Sequence, residues 1–406
     1  MMDREPISVL IVDDDPVFAH FVRQLLLSLR DQLPCETKWV DTAEKALVEL
    51  AHTAYELVLL DYHLPAADGL EMLARIRELP EEQPAVIMLT GSGSESVAVE
   101  AMKRGARDYL IKADLDVVPL TRALRNALTQ KQLADQLARY NAQMRADLEM
   151  ARHLQESMLP ESYPRFPSTA SPADSALQFC HRFCPAAELA GDFFSVLPLS
   201  DTQAGLFICD VMGHGIRSAL VTAMMRALVD NEMARANDPG AFLAAMNRRL
   251  MALIRPAEGP MFATAFYLIA DVATGQMRYA TAGHPRPLHL QRRAGRVTPL
   301  ETPARAGPAL GLFADAEFVT CESRIEVEDV IVLFTDGLFE ATSADGTQEF
   351  GRERLLETTR ECMKLPLEKL CDEIVAAVRA FSGGTEFADD VCLLGVEVAR
   401  LRDAKD

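Results

Sequence analysis

At 406 residues the chain is too long for one ordinary hydrophobic core, which predicts two domains and a connector. Its apolar share of 49% beside 25% charged residues is that of a globular protein, not a disordered one. A formal net charge of −19, from 60 acidic against 41 basic residues, argues against a nucleic-acid partner, since a phosphate backbone would be repelled. The same acidic surplus suits divalent cations held at carboxylates. The eight cysteines are scattered without a CxxC pair, so neither a zinc site nor a disulfide framework is expected. The first residues lack an export pattern, and no apolar run approaches the ~20 residues that span a bilayer. A reducing, cytoplasmic setting with no membrane partner is therefore expected.

Residues 7–127 alternate short apolar runs, at 8–12, 57–60, 85–89 and 108–111, with amphipathic stretches at 18–29, 43–51 and 70–77. Runs this short and this rich in Val, Ile and Leu predict strands covered on both faces, hence a doubly wound parallel sheet. In such sheets functional side chains gather at the carboxyl ends of the strands. Those ends carry chemistry here: 9–12 runs into Asp13-Asp14-Asp15, and 57–60 runs into Asp61. Carboxylates brought this close repel unless a hard cation such as Mg²⁺ sits among them, and one of them can then attack a phosphoryl group. Thr90 ends a third strand with a hydroxyl and Lys112 a fourth with an ammonium. For any one aspartate, a helix cap or a solvated loop acid is the plainer account. Four successive strand ends together favour a site.

With VDDD, LLDYHLPAADGLEML, MLTGSGS and DYLIKAD in that order, residues 5–128 resemble a CheY-like response-regulator receiver domain. The resemblance implies a five-stranded parallel sheet and Asp61 as phosphoacceptor, with Mg²⁺ held by Asp13, Asp14, Asp61 and the His63 carbonyl. It gives Thr90 and Lys112 phosphate-binding roles, makes Tyr109 the switch aromatic, and implies a sensor histidine kinase as partner. Ala113 departs from a position where proline is frequent.

From 115 to 159 there is no glycine and the only early breaker is Pro119; Leu137, Met144, Ala151 and Met158 recur every seven residues beside Leu133, Tyr140, Leu148 and Leu154. This predicts a long linker helix, with 129–163 as the connector and a coiled-coil-like seam through which the chain would form a homodimer. Pro160, Pro164, Pro167 and Pro172 then break the helix. Beyond 177, strand-like runs at 205–210, 264–271, 277–281 and 330–334 surround helical stretches at 218–233, 239–253 and 367–381. An α+β domain over 164–400 is expected, a two-sheet β-sandwich flanked by helices.

This region again sets aspartates beside glycines, in GDFF at 191–194, CDVMGHG at 209–215, FTDG at 334–337 and ADDV at 388–391. Several carboxylates with few nitrogen or sulfur donors favour Mn²⁺ or Mg²⁺, and a pair of such ions activates water for attack on a phosphate ester. No GxSxG elbow or phosphate-loop cysteine offers a protein nucleophile. Together with ARHLQESMLP, FATAFY, AGHP, LFTDGLFEA and FGRERL, these motifs resemble the SpoIIE/RsbU-type branch of the PPM (type 2C-like) phosphatases.

The resemblance implies a phosphoserine/phosphothreonine protein phosphatase with two Mn²⁺ or Mg²⁺ ions. Asp192, Asp210, Asp336 and Asp389 would be ligands, joined by the Val211 carbonyl, with Asp390 behind them. It also implies a STAS-type anti-sigma-factor antagonist, carrying phosphoserine, as substrate. Val211 stands where glycine is frequent, and Val391-Cys392 replaces a hydrophobe-threonine pair, which would loosen support for Asp389. His214 and His284 lie in glycine-bearing turns, where a structural hydrogen bond is commoner than catalysis. The reading from another class is a non-catalytic adaptor whose pseudophosphatase domain binds a sigma factor or regulatory partner. All four aspartates being present favours the enzyme.

Overall fold

The computed structural model describes residues 6–401 except 66, 80–82, 92–94, 214, 255–260, 304–306 and 385–386. The chain divides into two compact units between residues 144 and 145.

The first unit runs β1 (Ile7–Val12), α1 (Pro16–Ser28), β2 (Cys35–Val40), α2 (Ala43–His52) and β3 (Leu57–Asp61). A two-stranded ribbon, β4 (His63–Leu64) and β5 (Ala67–Asp68), leads to α3 (Gly69–Arg77), β6 (Ala85–Thr90), α4 (Glu95–Lys103) and β7 (Asp108–Ile111). The five long strands are parallel, in the order β2-β1-β3-β6-β7. Alternate residues face opposite sides. Leu10, Val58, Leu60 and Met88 pack on Ala46, Met72, Leu73 and Ile76, whereas Val9, Ile11, Leu59 and Ile87 pack on Val22, Leu26, Leu120 and Leu124. Both faces are thus dry, and the expected doubly wound sheet is present. Asp15 caps α1 through Val17 and Phe18, with Pro16 in the first turn where its missing N–H costs nothing.

Helix α5 (Val117–Glu156) is one 40-residue helix. Pro119 sits in its first turn, where proline is tolerated. The expected helix to residue 159 ends three residues early. Met158 and Leu159 close short turns onto Gln155 and Glu156, because Pro160 disfavours helical backbone in the residue before it. Met158 therefore falls outside the helical seam. Leu133, Leu137, Tyr140, Met144 and Leu154 are exposed along it.

The second unit continues with β8 (Leu177–Cys184), β9 (Asp192–Pro198), β10 (Gln203–Val211), α6 (Ile216–Asn231), α7 (Pro239–Leu253), β11 (Ala263–Asp271) and β12 (Gln276–Ala282). It ends with β13 (Leu288–Gln291), β14 (Arg296–Pro299), β15 (Cys321–Arg324), β16 (Val330–Phe334), α8 (Gly351–Cys362), α9 (Leu367–Phe381) and β17 (Val391–Val398). Two antiparallel sheets result, β15-β12-β11-β10-β9 and β14-β13-β16-β17-β8. Phe194, Ile208, Phe266 and Leu268 of one meet Ile331, Leu333, Leu394 and Val396 of the other. Helices α6 and α7 cover the outer face of the first sheet through Val221, Met225, Phe242 and Met246. Leu355, Leu370, Ile374 and Val378 of α8 and α9 cover the second. Each such buried side chain contributes roughly 1.5–3 kcal/mol. The sandwich flanked by helices is as expected. Among the described residues no helix is long and apolar enough to cross a membrane.

Candidate functional site

Two carboxylate clusters form, one in each unit. In the first, Asp13 and Asp14 follow β1 and Asp61 ends β3, its parallel neighbour. One oxygen from each lies within 4.8 Å of the others. Lys112 reaches in from the end of β7 and places Nζ 2.7 Å from Asp13 Oδ2 and 2.8 Å from Asp61 Oδ2. Burial, together with the Asp61 charge, raises the Asp13 carboxyl above the usual carboxylate range, while Lys112 and the Asp15 N–H oppose the rise. Burial alone would lower Lys112, but Asp13 and Asp61 outweigh it and raise the ammonium. A divalent cation with oxygen donors fits this set, since only part of the negative charge is met by Lys112.

Thr90 is buried at the end of β6, in register with Ile111. Tyr109 is turned outward at 40% exposure, and the exposed His63 packs its ring edge-on to Tyr62. Trp39, the chain's sole tryptophan, donates its indole N–H to the Asp13 carbonyl at 2.8 Å.

In the second unit, antiparallel pairing of β9 with β10 sets Asp192 directly opposite Asp210, and Thr264 of β11 faces Asp210 from the other side. Asp336 begins the turn after β16, and Asp389-Asp390 precede β17, the neighbour of β16. Gly337 makes that approach possible: a Cβ there would stand 2.1 Å from the Asp390 carbonyl oxygen and 3.2 Å from that of Asp389. Gly191 does the same beside the Val211 carbonyl, at 2.7 Å.

The acids register one another strongly. Burial, then the Asp210 charge, drives Asp192 far above the usual range. Burial, then Asp336, Asp389, Asp390 and Glu340, pushes Asp210 up to about 7. Asp336 and Glu340 are raised as well, burial first in each case. These acids are more widely spread than those of the first cluster, which among the described residues is the one group of three converging within 4.8 Å. Repelling acids with almost no cation among them are the donor set for divalent metal ions.

Further residues hold this site, and sequence reasoning missed Thr335, Gln155 and Glu340 among them. Thr335 Oγ1 donates to Asp192 Oδ2 at 2.7 Å and accepts from the Cys392 N–H at 2.9 Å, joining the two sheets. Cys392 packs its own side chain in the inter-sheet core and meets the site through its backbone, so its effect falls on Thr335 rather than on Asp389. Asp390 accepts from the N–H groups of Ala186 and Gly191 at 2.8 and 2.6 Å, which pins the segment before Asp192. Gln155, in the last turn of α5, is buried and grips the Ala190 backbone, donating to its carbonyl at 2.7 Å and accepting from its N–H at 2.9 Å. Glu340, four residues after Asp336, adds to the acidic group; the i, i+4 spacing in TDGLFE was its signal.

His284 is buried, pairs Nδ1 with Thr264 Oγ1 at 2.7 Å, and is pushed down to about 3 by burial. Its imidazole is therefore neutral, as a structural role requires. His214 lies outside the described residues, as do Ser92 and Gly93 of the loop after β6.

Residues 9–134 match the model of the response regulator receiver domain, and 200–399 match that of stage II sporulation protein E (SpoIIE). The chain carries a receiver domain and a SpoIIE domain. Asp210, Asp336 and Asp389 lie inside the second match and Asp192 lies before it. The chain is 26% identical over 253 residues to phosphoserine phosphatase RsbP of Bacillus subtilis (strain 168), covering 62% of this chain and 58% of RsbP. It is 25% identical over 228 residues to phosphoserine phosphatase RsbU of the same organism, covering 55% of this chain and 64% of RsbU. The chain thus spans less than two thirds of either relative. The SpoIIE domain shares the fold of the SiaA-PP2C domain of Pseudomonas aeruginosa, at 21% identity and a TM-score of 0.54, over 64% of this chain and 98% of that one.

Proposed function

We propose that the chain is a response regulator in which phosphorylation of Asp61 controls a metal-dependent phosphoserine/phosphothreonine protein phosphatase. The observation that carries this reading is the gathering of Asp192, Asp210 and Asp336, raised by burial and by neighbouring acids that include Asp389. The likeness to two phosphoserine phosphatases supports it. Two Mn²⁺ or Mg²⁺ ions held there would supply an activated water and neutralise the phosphate ester. Asp210 would serve both ions, the Val211 carbonyl and Asp192 would hold the first, and Asp336 and Asp389 would hold the second. Thr335 fixes the Asp192 carboxylate, and Asp390 fixes the backbone leading into it.

In the receiver, Asp13, Asp14, Asp61 and the His63 carbonyl would hold Mg²⁺. Lys112 and Thr90 take the phosphoryl oxygens, and Tyr109 reorients on activation. Trp39 reports on that site: Mg²⁺ should change its emission saturably, and Asp14→Asn should raise the apparent Kd at least about tenfold. Emission that ignores Mg²⁺ would count against the ligand set.

A sensor histidine kinase is the phosphodonor partner, and a phosphoserine STAS-type anti-sigma-factor antagonist is the substrate. The domains are assigned as 5–128, 129–163 and 164–400. The exposed seam Leu133, Leu137, Tyr140 and Met144 supports a homodimer through receiver and helix, because an apolar stripe this long favours a partner. Helix α5 is the transmitting element, since its Gln155 grips Ala190, two residues before Asp192.

The test is Mn²⁺-dependent phosphate release from a phosphoserine STAS protein, with and without beryllofluoride, in the native chain and in Asp61→Ala. Beryllofluoride should change the native rate and leave Asp61→Ala unmoved. Identical responses in both proteins would end the coupling reading, and binding without release under any condition would favour the adaptor.

A further inference from the structure

Strand β8 forms one edge of its sheet and turns Cys180, Arg182 and Cys184 toward α9. Helix α9 answers with Cys371, Asp372 and Arg379. The Cys180 partner across the sheet is Gly395 of β17, and a Cβ on Gly395 would lie 3.2 Å from Cys371 Sγ. The missing side chain lets Cys371 settle against the sheet beside Cys180, and both belong to one buried cluster.

Arg182 is locked over the pair. Its Nη1 donates to Cys180 Sγ at 3.0 Å and to the His181 carbonyl at 2.7 Å. Nε donates to Asp372 at 2.6 Å, and Nη2 to the Glu368 carbonyl at 3.3 Å. A sulfur that receives a hydrogen bond from a guanidinium is stabilised as the thiolate. The Cys371 contact lowers the Cys180 thiol below its ordinary value, against the effect of burial, and Cys371 is correspondingly raised. Both sulfurs are buried, and the layer above them is the Arg182–Asp372 pair, whose side chains are 30% and 59% exposed.

We propose that Cys180 and Cys371 form a peroxide-reactive dithiol, with Cys180 as the attacking thiolate and Cys371 as the resolving thiol. The oxidant is a hydroperoxide. The Cys180 sulfur attacks its terminal oxygen and the O–O bond breaks. The leaving alkoxide or hydroxide takes a proton and departs as alcohol or water, leaving a sulfenic acid. Cys371 then loses its proton and attacks that sulfur, the S–O bond breaks, and hydroxide leaves with the proton as water. Two electrons pass from the two sulfurs to the peroxide, and a disulfide joins β8 to α9.

The competing account is a pair of inert core thiols, and the reduced full-length chain separates the two. Treatment with hydrogen peroxide followed by non-reducing peptide mapping should yield a Cys180–Cys371 disulfide, and the oxidised chain should melt at a higher Tm. Cys371→Ala should instead leave Cys180 as a sulfenic acid that dimedone captures. Alkylation of native Cys180 by iodoacetamide should reach half its maximal rate at a lower pH than an ordinary thiol does, and this midpoint should rise in Cys371→Ala. Cys180 that stays reduced and unalkylated in the native chain while Cys184 or Cys362 reacts would overturn the proposal. A Cys180 midpoint at or above the ordinary value would do the same.

Discussion

Asp210→Ala should lower metal-dependent phosphate release by at least ~10³-fold while leaving the fold intact. Asp210 lies near the end of β10, flanked by Asp192 and Thr264 in the ladder, and Asp336, Asp389, Asp390 and Glu340 add to burial in raising it. Its removal deletes the ligand proposed to be shared between two ions, and no neighbouring donor can reach across from β9 or β11 to replace it. The same change relieves repulsion on Asp192, so the metal-free variant should melt no lower than the native chain. Activity lost without stability lost separates a ligand from a structural residue. Phosphate release and Tm, measured side by side, check this. A variant retaining a tenth or more of native activity would remove Asp210 from the bridging role.

The metal-free SpoIIE unit should be more stable in mild acid than in mild alkali, and Mn²⁺ should reverse the loss. Folding raises Asp210 to about 7 and drives Asp192 well above its ordinary value, with burial the largest cause for each. Between about pH 4 and that range the folded chain therefore holds protons that the unfolded chain has released. The stabilisation from these groups is fully present below the unfolded carboxylate value and disappears as pH rises through the folded one. Each tenfold change in proton affinity is worth ~1.4 kcal/mol, so the loss is on the order of a few kcal/mol, or roughly 5–10 °C in Tm. Thermal melts in chelator at about pH 5.5 and about pH 8 measure it, with Asp210→Asn as the control whose slope should flatten. Stability that rises with pH in chelator would contradict the repulsion described for this site.

The receiver was readable because its central strands are buried on both faces. Val9–Val12 and Leu57–Leu60 are unbroken apolar runs, and a parallel sheet obliges such runs to end together, which brings Asp13, Asp14 and Asp61 into one cluster. Strand β2, with the sequence CETKWV, stayed hidden because it lies at the sheet edge and keeps its polar residues half in water. In the second unit the aspartates were legible as strand-end acids beside glycines, but their pairing was not. Nothing in the spacing of Asp192 and Asp210 states the register that sets them opposite one another. Thr335 and Asp192 stand 143 residues apart, so a hydroxyl joining two sheets leaves no local trace. Gln155 was hidden for another reason. A polar residue near the end of a helix reads as solvated surface, and only the fold buries it against Ala190.

The close approach at Gly337 has a consequence for how such a site is inherited. With no room for even a methyl group against Asp390, the segments bearing Asp336 and Asp389 are held as a single piece of backbone. Neither can drift without carrying the other. Descendants of this domain that fall silent would therefore lose a carboxylate in place and keep the contour around it. A partner that recognises contour alone would go on binding a chain whose chemistry had already been discarded.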